Sequence, residues 1–184
     1  TDYPAIARLV AGYERVIVEC HPSLVGSRTI QFQALLQEAA CHQHRPRTPV
    51  LEVAMGLETV HAEALERLNK RMTPEQFQGA AQFLASHEIA LRAFVLVQPP
   101  FQPLDESVEW ARRSAEFAFN CGANAVTLIP TRFGNGALEA LATVGEFLPP
   151  PLATLEDAFD AVLGSASGRV FVDLWNLEQF GKCS

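Results

Sequence analysis

No apolar run in this chain reaches the roughly 18–20 residues that a membrane-spanning helix needs. The opening TDYPAIARL has neither the charged leader nor the long apolar stretch of a secretory signal. Membrane insertion is therefore not expected, and a cytoplasmic setting is. A basic excess is missing too: the formal net charge is −7. That argues against this segment gripping a nucleic-acid backbone, which needs Lys and Arg concentrated on one face. The four cysteines, at positions 20, 41, 121 and 183, show no CxxC or zinc-like spacing. Buried or inert thiols in a reducing compartment are the expectation, with a truncated pair at Cys183 left open. His42 and His44 stand in an Arg-rich loop without further ligands, so they are read as surface and no metal site is assigned. Short-period repeats and low-complexity tracts are also absent.

What is present is a regular alternation of two patterns along 184 residues, a length that suits one domain with a real core. Strand-like runs are expected at Arg15–Cys20, Val50–Met55, Ala90–Val97, Ala125–Ile129 and Arg169–Leu174. Their spacing leaves room for a helix each time, as parallel strand–helix–strand units require. Phe32, Leu35, Leu36, Ala39 and Ala40 make one helical stripe, and Phe77, Ala80, Ala81 and Leu84 another. Thr73-Pro74-Glu75-Gln76 reads as a capping box. Asp105 and Thr154 are candidate N-caps for the two later helices. Trp110, Phe117, Phe171 and Trp175 are assigned to the core by default. The fold class is α/β, a parallel half-barrel.

The most informative stretch is Val50 to Thr73, VLEVAMGLETVHAEALERLNKRMT. Leu51, Val53, Met55 and Leu57 share one strand face, and Glu52, Ala54, Gly56 and Glu58 the other. Carboxylates and small residues on one parity suggest an enclosed polar lumen. Gly56 lets the backbone come close to something just before Glu58. A strand ending on an acid and followed by a helix is where a β/α barrel keeps its site residues. By the same parity Ile17 and Glu19 share a lumen face, as do Arg92, Phe94, Leu96 and Gln98. Glu52 and Arg92 lie early in their strands, where an ion pair at the barrel floor is expected. The Arg132–Gly136 turn, with Arg132, Gly134 and Gly136, is a candidate phosphate or substrate loop, although it lacks the Gly-Lys-Ser/Thr ending of a P-loop. A plain flexible loop reads equally well. Asp173 can reach a substrate, but nothing in the sequence decides it.

GLET followed by LERLNKRMT resembles the fourth strand and helix of the radical S-adenosylmethionine (SAM) enzymes. The branch is that of the Elongator catalytic subunit, oxygen-independent coproporphyrinogen oxidase and the archaeosine-synthase radical subunit. VIVECHPSLVG is similar to the third strand of that barrel, FVLVQPPF to the fifth and VTLIPTR to the sixth. The resemblance implies the C-terminal half of a (βα)6 partial barrel over residues 1–184, with SAM as cofactor. It also implies a 4Fe–4S cluster in the complete protein, where SAM is split to a 5′-deoxyadenosyl radical. The family's CxxxCxxC triad is not in this sequence, so this segment is not expected to hold the cluster, nor to be active alone. The substrate stays open, with RNA or a modified nucleoside suggested only by the branch.

Carried over residue by residue, the resemblance implies SAM contacts at Glu19, Glu58, Lys70, Leu96, Gln98, Pro130 and Thr131. Alternatives stand beside these: loop-amide acceptance for Glu19, helix capping for Glu58, and a solvated helix end for Lys70. Lys70 falls where relatives commonly carry an Arg after Asn, and Glu58 where they often carry Gln. The neighbouring Arg71 is a second candidate cation, and Phe94 stands where some relatives have an acid. A half-barrel leaves its first strand bare. The expected partner is therefore the missing N-terminal half-barrel, or a second copy at that edge. Two other readings remain: a TIM-barrel fragment acting on a phosphorylated metabolite, and a non-catalytic SAM- or nucleotide-binding module.

Overall fold

A computed structural model describes residues 1–134 and 136–180. In chain order it comprises α1 (Tyr3–Val10), β1 (Arg15–Glu19), α2 (Ser27–His42), β2 (Val50–Glu58), α3 (Ala62–Arg67), α4 (Pro74–Ser86), β3 (Ala90–Val97), α5 (Ser107–Asn120), β4 (Ala125–Pro130), α6 (Ala137–Thr143), α7 (Leu152–Ser165) and β5 (Arg169–Val172). The sheet is wholly parallel and runs β1-β2-β3-β4-β5, in chain order as expected. Cys183 and Asn135 lie outside the described residues.

Alternation in β2 produces two unlike faces. Leu51, Val53, Met55 and Leu57 are buried with the apolar stripes of the helices: Phe32 and Leu36 of α2, Phe77 and Leu84 of α4, Leu155 and Val162 of α7. Each such side chain stabilises the fold by roughly 1.5–3 kcal/mol, so the helix-covered side carries most of the stability. The capping box at α4 forms in both directions: Gln76 N donates to Thr73 Oγ1 at 3.3 Å, and Thr73 N to Gln76 Oε1 at 3.1 Å. Two expected caps do not form. Asp105 sits within a 3-10 turn, Leu104–Glu106, that runs into α5 without a side-chain cap. Thr154 lies inside α7, which begins two residues earlier behind Pro151. Helix α1, capped by Asp2, was not anticipated.

The other face is concave and open, not the enclosed lumen expected. Phe171 is 39% exposed on it and Trp175, just past β5, is 71% exposed. The default core assignment fails for both because, among the described residues, no second layer covers this side of β5. Phe117 does pack against the core. At the lower end of this face Glu52 is fully buried. Arg92 Nε donates to its Oε1 at 2.7 Å, and Arg15 Nη1 and Arg169 Nη2 both donate to its Oε2, at 2.7 and 2.9 Å. The expected Glu52–Arg92 pair is thus one arm of a three-arginine clamp. Arg169 belongs to β5, three strands from β2 and roughly 14 Å away on a flat sheet. Direct contact requires the sheet to curl strongly, as a barrel wall does. Burial raises the Glu52 carboxyl pKa, but hydrogen bonds and charge from Arg92 and Arg169 outweigh it and hold the group below its ordinary value.

Candidate functional site

At the opposite, C-terminal end of the strands a cleft of about 410 Å³ opens between β1, β2, β3 and the loop before α4. Its polar rim is Glu19, His21, Glu58 and Lys70, and its apolar wall Met72, Phe94, Leu96 and Ile129. The volume falls within the roughly 300–1,000 Å³ of small-molecule pockets.

Glu58 is placed by local backbone geometry. The pairing of β2 with β3 slips between Gly56 and Glu58, so Gly56 faces Phe94 and Glu58 faces Val95. Leu57 keeps its place on the core face, and the bulge leaves Glu58 at φ +64°, a conformation that costs about 1–3 kcal/mol for a residue with a Cβ. The carboxylate then folds back over Gly56, where any Cβ would collide with Glu58 Oε1. The close approach that Gly56 permits is that of Glu58 itself. Capping of α3 is done by His61, whose Nδ1 accepts from Ala64 N, so Glu58 is not a helix cap.

Lys70 Nζ lies 3.5 Å from Glu58 Oε1. Its flanking residues Asn69 and Arg71 both have φ near +50° (51° and 52°), a kinked path that turns Lys70, not Arg71, to the cleft. His21 ties this loop to β1. Its Nε2 meets the Lys70 carbonyl at 3.1 Å, which requires Nε2–H. Nδ1 is then the acceptor for Ser23 N at 3.2 Å. The role of His21 was not read from the sequence, because it depends on a contact 49 residues away. Burial raises the Cys20 thiol beside it, which keeps that sulfur protonated.

Of the seven candidate SAM contacts, the structure brings Glu19, Glu58, Lys70 and Leu96 into the cleft. Gln98 ends β3 at φ +57° and is buried, its Nε2 donating to the Gln102 carbonyl at 2.8 Å. Pro130 and Thr131 are buried at the end of β4. Gln98 Oε1 and Thr131 Oγ1 have no hydrogen-bond partner among the described residues. The Arg132 turn stands apart from the cleft. Arg132 Nη1 donates to Asp173 Oδ2 at 2.8 Å, and Gly134 N to Glu139 Oε1 at 2.7 Å. A carboxylate thus takes the amide a phosphate would need. Among the described residues no three His, Cys, Asp or Glu side chains converge as a metal site would require.

No family model matches the chain. An uncharacterized protein of Methanocaldococcus jannaschii is 24% identical over 102 residues, which are 54% of this chain and 28% of that relative. The archaeal Elp3 of Methanocaldococcus infernus, with residues 1–46 deleted, superposes with a TM-score of 0.67 at 14% identity, over 92% of this chain and 38% of that one. The fold resembles that of this Elp3 as a parallel half-barrel. The radical SAM methyltransferase TsrM of Kitasatospora setae, solved with cobalamin and a 4Fe–4S cluster, also matches, covering 68% of this chain and 23% of its own. Its TM-score of 0.43 at 17% identity is too low to carry an argument. The chain spans well under half the length of these proteins, so the likeness is one of fold over a partial length.

Proposed function

We propose that this chain is the SAM-binding, C-terminal portion of a radical SAM iron–sulfur enzyme. The observation that carries the reading is the convergence of Glu19, Glu58 and Lys70 over an apolar wall at the C-terminal rim of a curled parallel sheet, the end where β/α barrels keep their sites.

The donor set fits SAM. The Lys70 ammonium suits the carboxylate of the SAM amino-acid end. The Glu19 and Glu58 carboxylates suit its ammonium group or the ribose hydroxyls. Phe94, Leu96 and Ile129 offer an apolar wall to the adenine. Glu58 and Lys70 already neutralise one another, so a bound zwitterion exchanges that pair for two of its own at little electrostatic cost. The bulge and Gly56 fix the Glu58 carboxylate before any ligand arrives, which reduces the ordering cost of binding. The cluster does not fit this chain: the cysteines at 20, 41, 121 and 183 lack the triad spacing. A 4Fe–4S cluster in the complete protein would supply the electron for reductive SAM cleavage. The N-terminal half-barrel that carries it is the proposed partner of the bare β1 edge. Substrate and reaction outcome are not assigned.

Equilibrium dialysis of labelled SAM against this chain tests the binding. The Glu58→Gln variant should weaken it by the worth of one charge-assisted hydrogen bond, roughly 1.5–3 kcal/mol or about 10–150-fold. Unchanged affinity in Glu58→Gln, or no saturable SAM binding by the folded chain, would remove the site assignment. The reaction itself is read in the complete, cluster-loaded protein as release of 5′-deoxyadenosine. This chain alone should release none.

A further inference from the structure

The three-arginine clamp at the floor of the concave face carries more positive charge than it neutralises. Glu52 supplies one negative charge to Arg15, Arg92 and Arg169, and no other acid in the described residues pairs with any of the three. Two positive charges are left over, in a protein whose net charge is −7. The guanidiniums differ in how fully they are used. Arg92 donates to Glu52 and to Thr127 Oγ1, stacks 4.4 Å over Phe171, and has a side chain 13% exposed. Among the described residues Arg15 makes a single hydrogen bond, to Glu52, and so does the Arg169 side chain, which also stands 5.7 Å from the Phe171 ring centroid. Their side chains are 37% and 44% exposed. Each therefore keeps most of a five-donor fork free.

Both free forks start from the same point. Arg15 Nη1 and Arg169 Nη2 touch one oxygen, Glu52 Oε2, so a second oxyanion above it can reach both. The fully buried carboxylate holds two cations side by side that would otherwise repel one another, on a face that solvent enters. Phe171 and Ile17, 39% and 47% exposed on the same face, give an apolar border. Fork-shaped donors of this kind match carboxylate and phosphate oxygens in pairs.

We propose that the floor of the concave face is a binding site for a small organic dianion, a phosphate monoester or a dicarboxylate, held between Arg15 and Arg169. It lies at the opposite end of the strands from the Glu58 cleft and does not depend on the SAM reading.

The test is titration calorimetry of this chain with glycerol phosphate and, separately, with succinate; the tighter of the two names the source. Saturable binding is expected, weakened roughly tenfold or more in Arg15→Gln and in Arg169→Gln. Each of these variants leaves Arg92 on Glu52, and circular dichroism checks that each keeps the fold. Arg15→Lys keeps the charge without the fork and should bind between wild type and Arg15→Gln. Arg47→Gln, on an exposed loop, should bind as wild type. Absence of saturable binding by either dianion overturns the proposal. So does equal loss in Arg47→Gln, which would mean diffuse charge attraction. Loss confined to Arg132→Gln also overturns it, by moving the site to the turn after β4.

Discussion

Replacing Glu52 by Gln should destabilise the chain by about 3 kcal/mol, and the reasoning runs through three separate arms. Removing one member of a buried ion pair typically costs about 3–5 kcal/mol, because the partner charge stays buried. Only Arg92, with its side chain 13% exposed, meets that description. Arg15 and Arg169 are 37% and 44% exposed, so solvent screens the repulsion that would remain between them. The lower end of the range follows. With a urea slope of about 2 kcal/mol per molar, the unfolding midpoint should fall by roughly 1.5 M. The depressed Glu52 pKa adds a pH signature. A carboxyl more acidic when folded than its unfolded value of 4.5 contributes stability above that value and loses it as the pH falls through the folded pKa. Urea melts followed by circular dichroism at neutral and acid pH read both effects. The wild type should lose stability on acidification below about pH 4.5 more steeply than Glu52→Gln, whose position 52 no longer titrates. A midpoint shift worth under about 1 kcal/mol, or acid slopes that match, would refute the clamp as a structural element.

Glu58→Gly should raise stability by about 1 kcal/mol while abolishing the proposed SAM contact, since glycine relaxes at φ +64°; thermal melts and dialysis on the same sample should move in opposite directions. The bare β1 edge predicts self-association of this chain. Light scattering should show species larger than a monomer, and a clean monomer at high concentration would count against the edge argument. Glu109 is held at a pKa of about 2 by hydrogen bonds from Arg112 and Arg113. An NMR titration of its carboxyl should therefore show no midpoint near 4.5, and one there would remove those contacts.

Much of this was legible in the chain because β2 writes its two faces plainly. Apolar residues alternate with carboxylate and small residues from Leu51 to Glu58, and parity alone placed Glu52 and Arg92 on one face. Parity says nothing of curvature, however. That Arg15 and Arg169 meet on Glu52 depends on how far the sheet bends across five strands, which no local spacing encodes. Gly56 signalled a close approach, but the approaching group was hidden until the register slip before Glu58 was known. Gln98 shared the parity of Leu96 and still left the cleft, because its left-handed backbone turns the amide toward Gln102. Phe171 and Trp175 were misplaced by a rule that presumes both faces of a strand are covered. The signal for α1 was present in Asp2 and Pro4 at the start of an apolar pattern and is the kind of start that capping rules detect.

The contact from Arg169 to Glu52 spans 117 residues, whereas that from Arg15 spans 37. Closing the longer loop costs about 1 kcal/mol more in chain entropy. It also brings in the shortest strand, four residues with half of them exposed. Paired with β4 alone, β5 is therefore expected to open at low free energy. Amide exchange is expected early in β5 and late in β2 and β3, as it would be if the bowl of the sheet widened from its β5 rim.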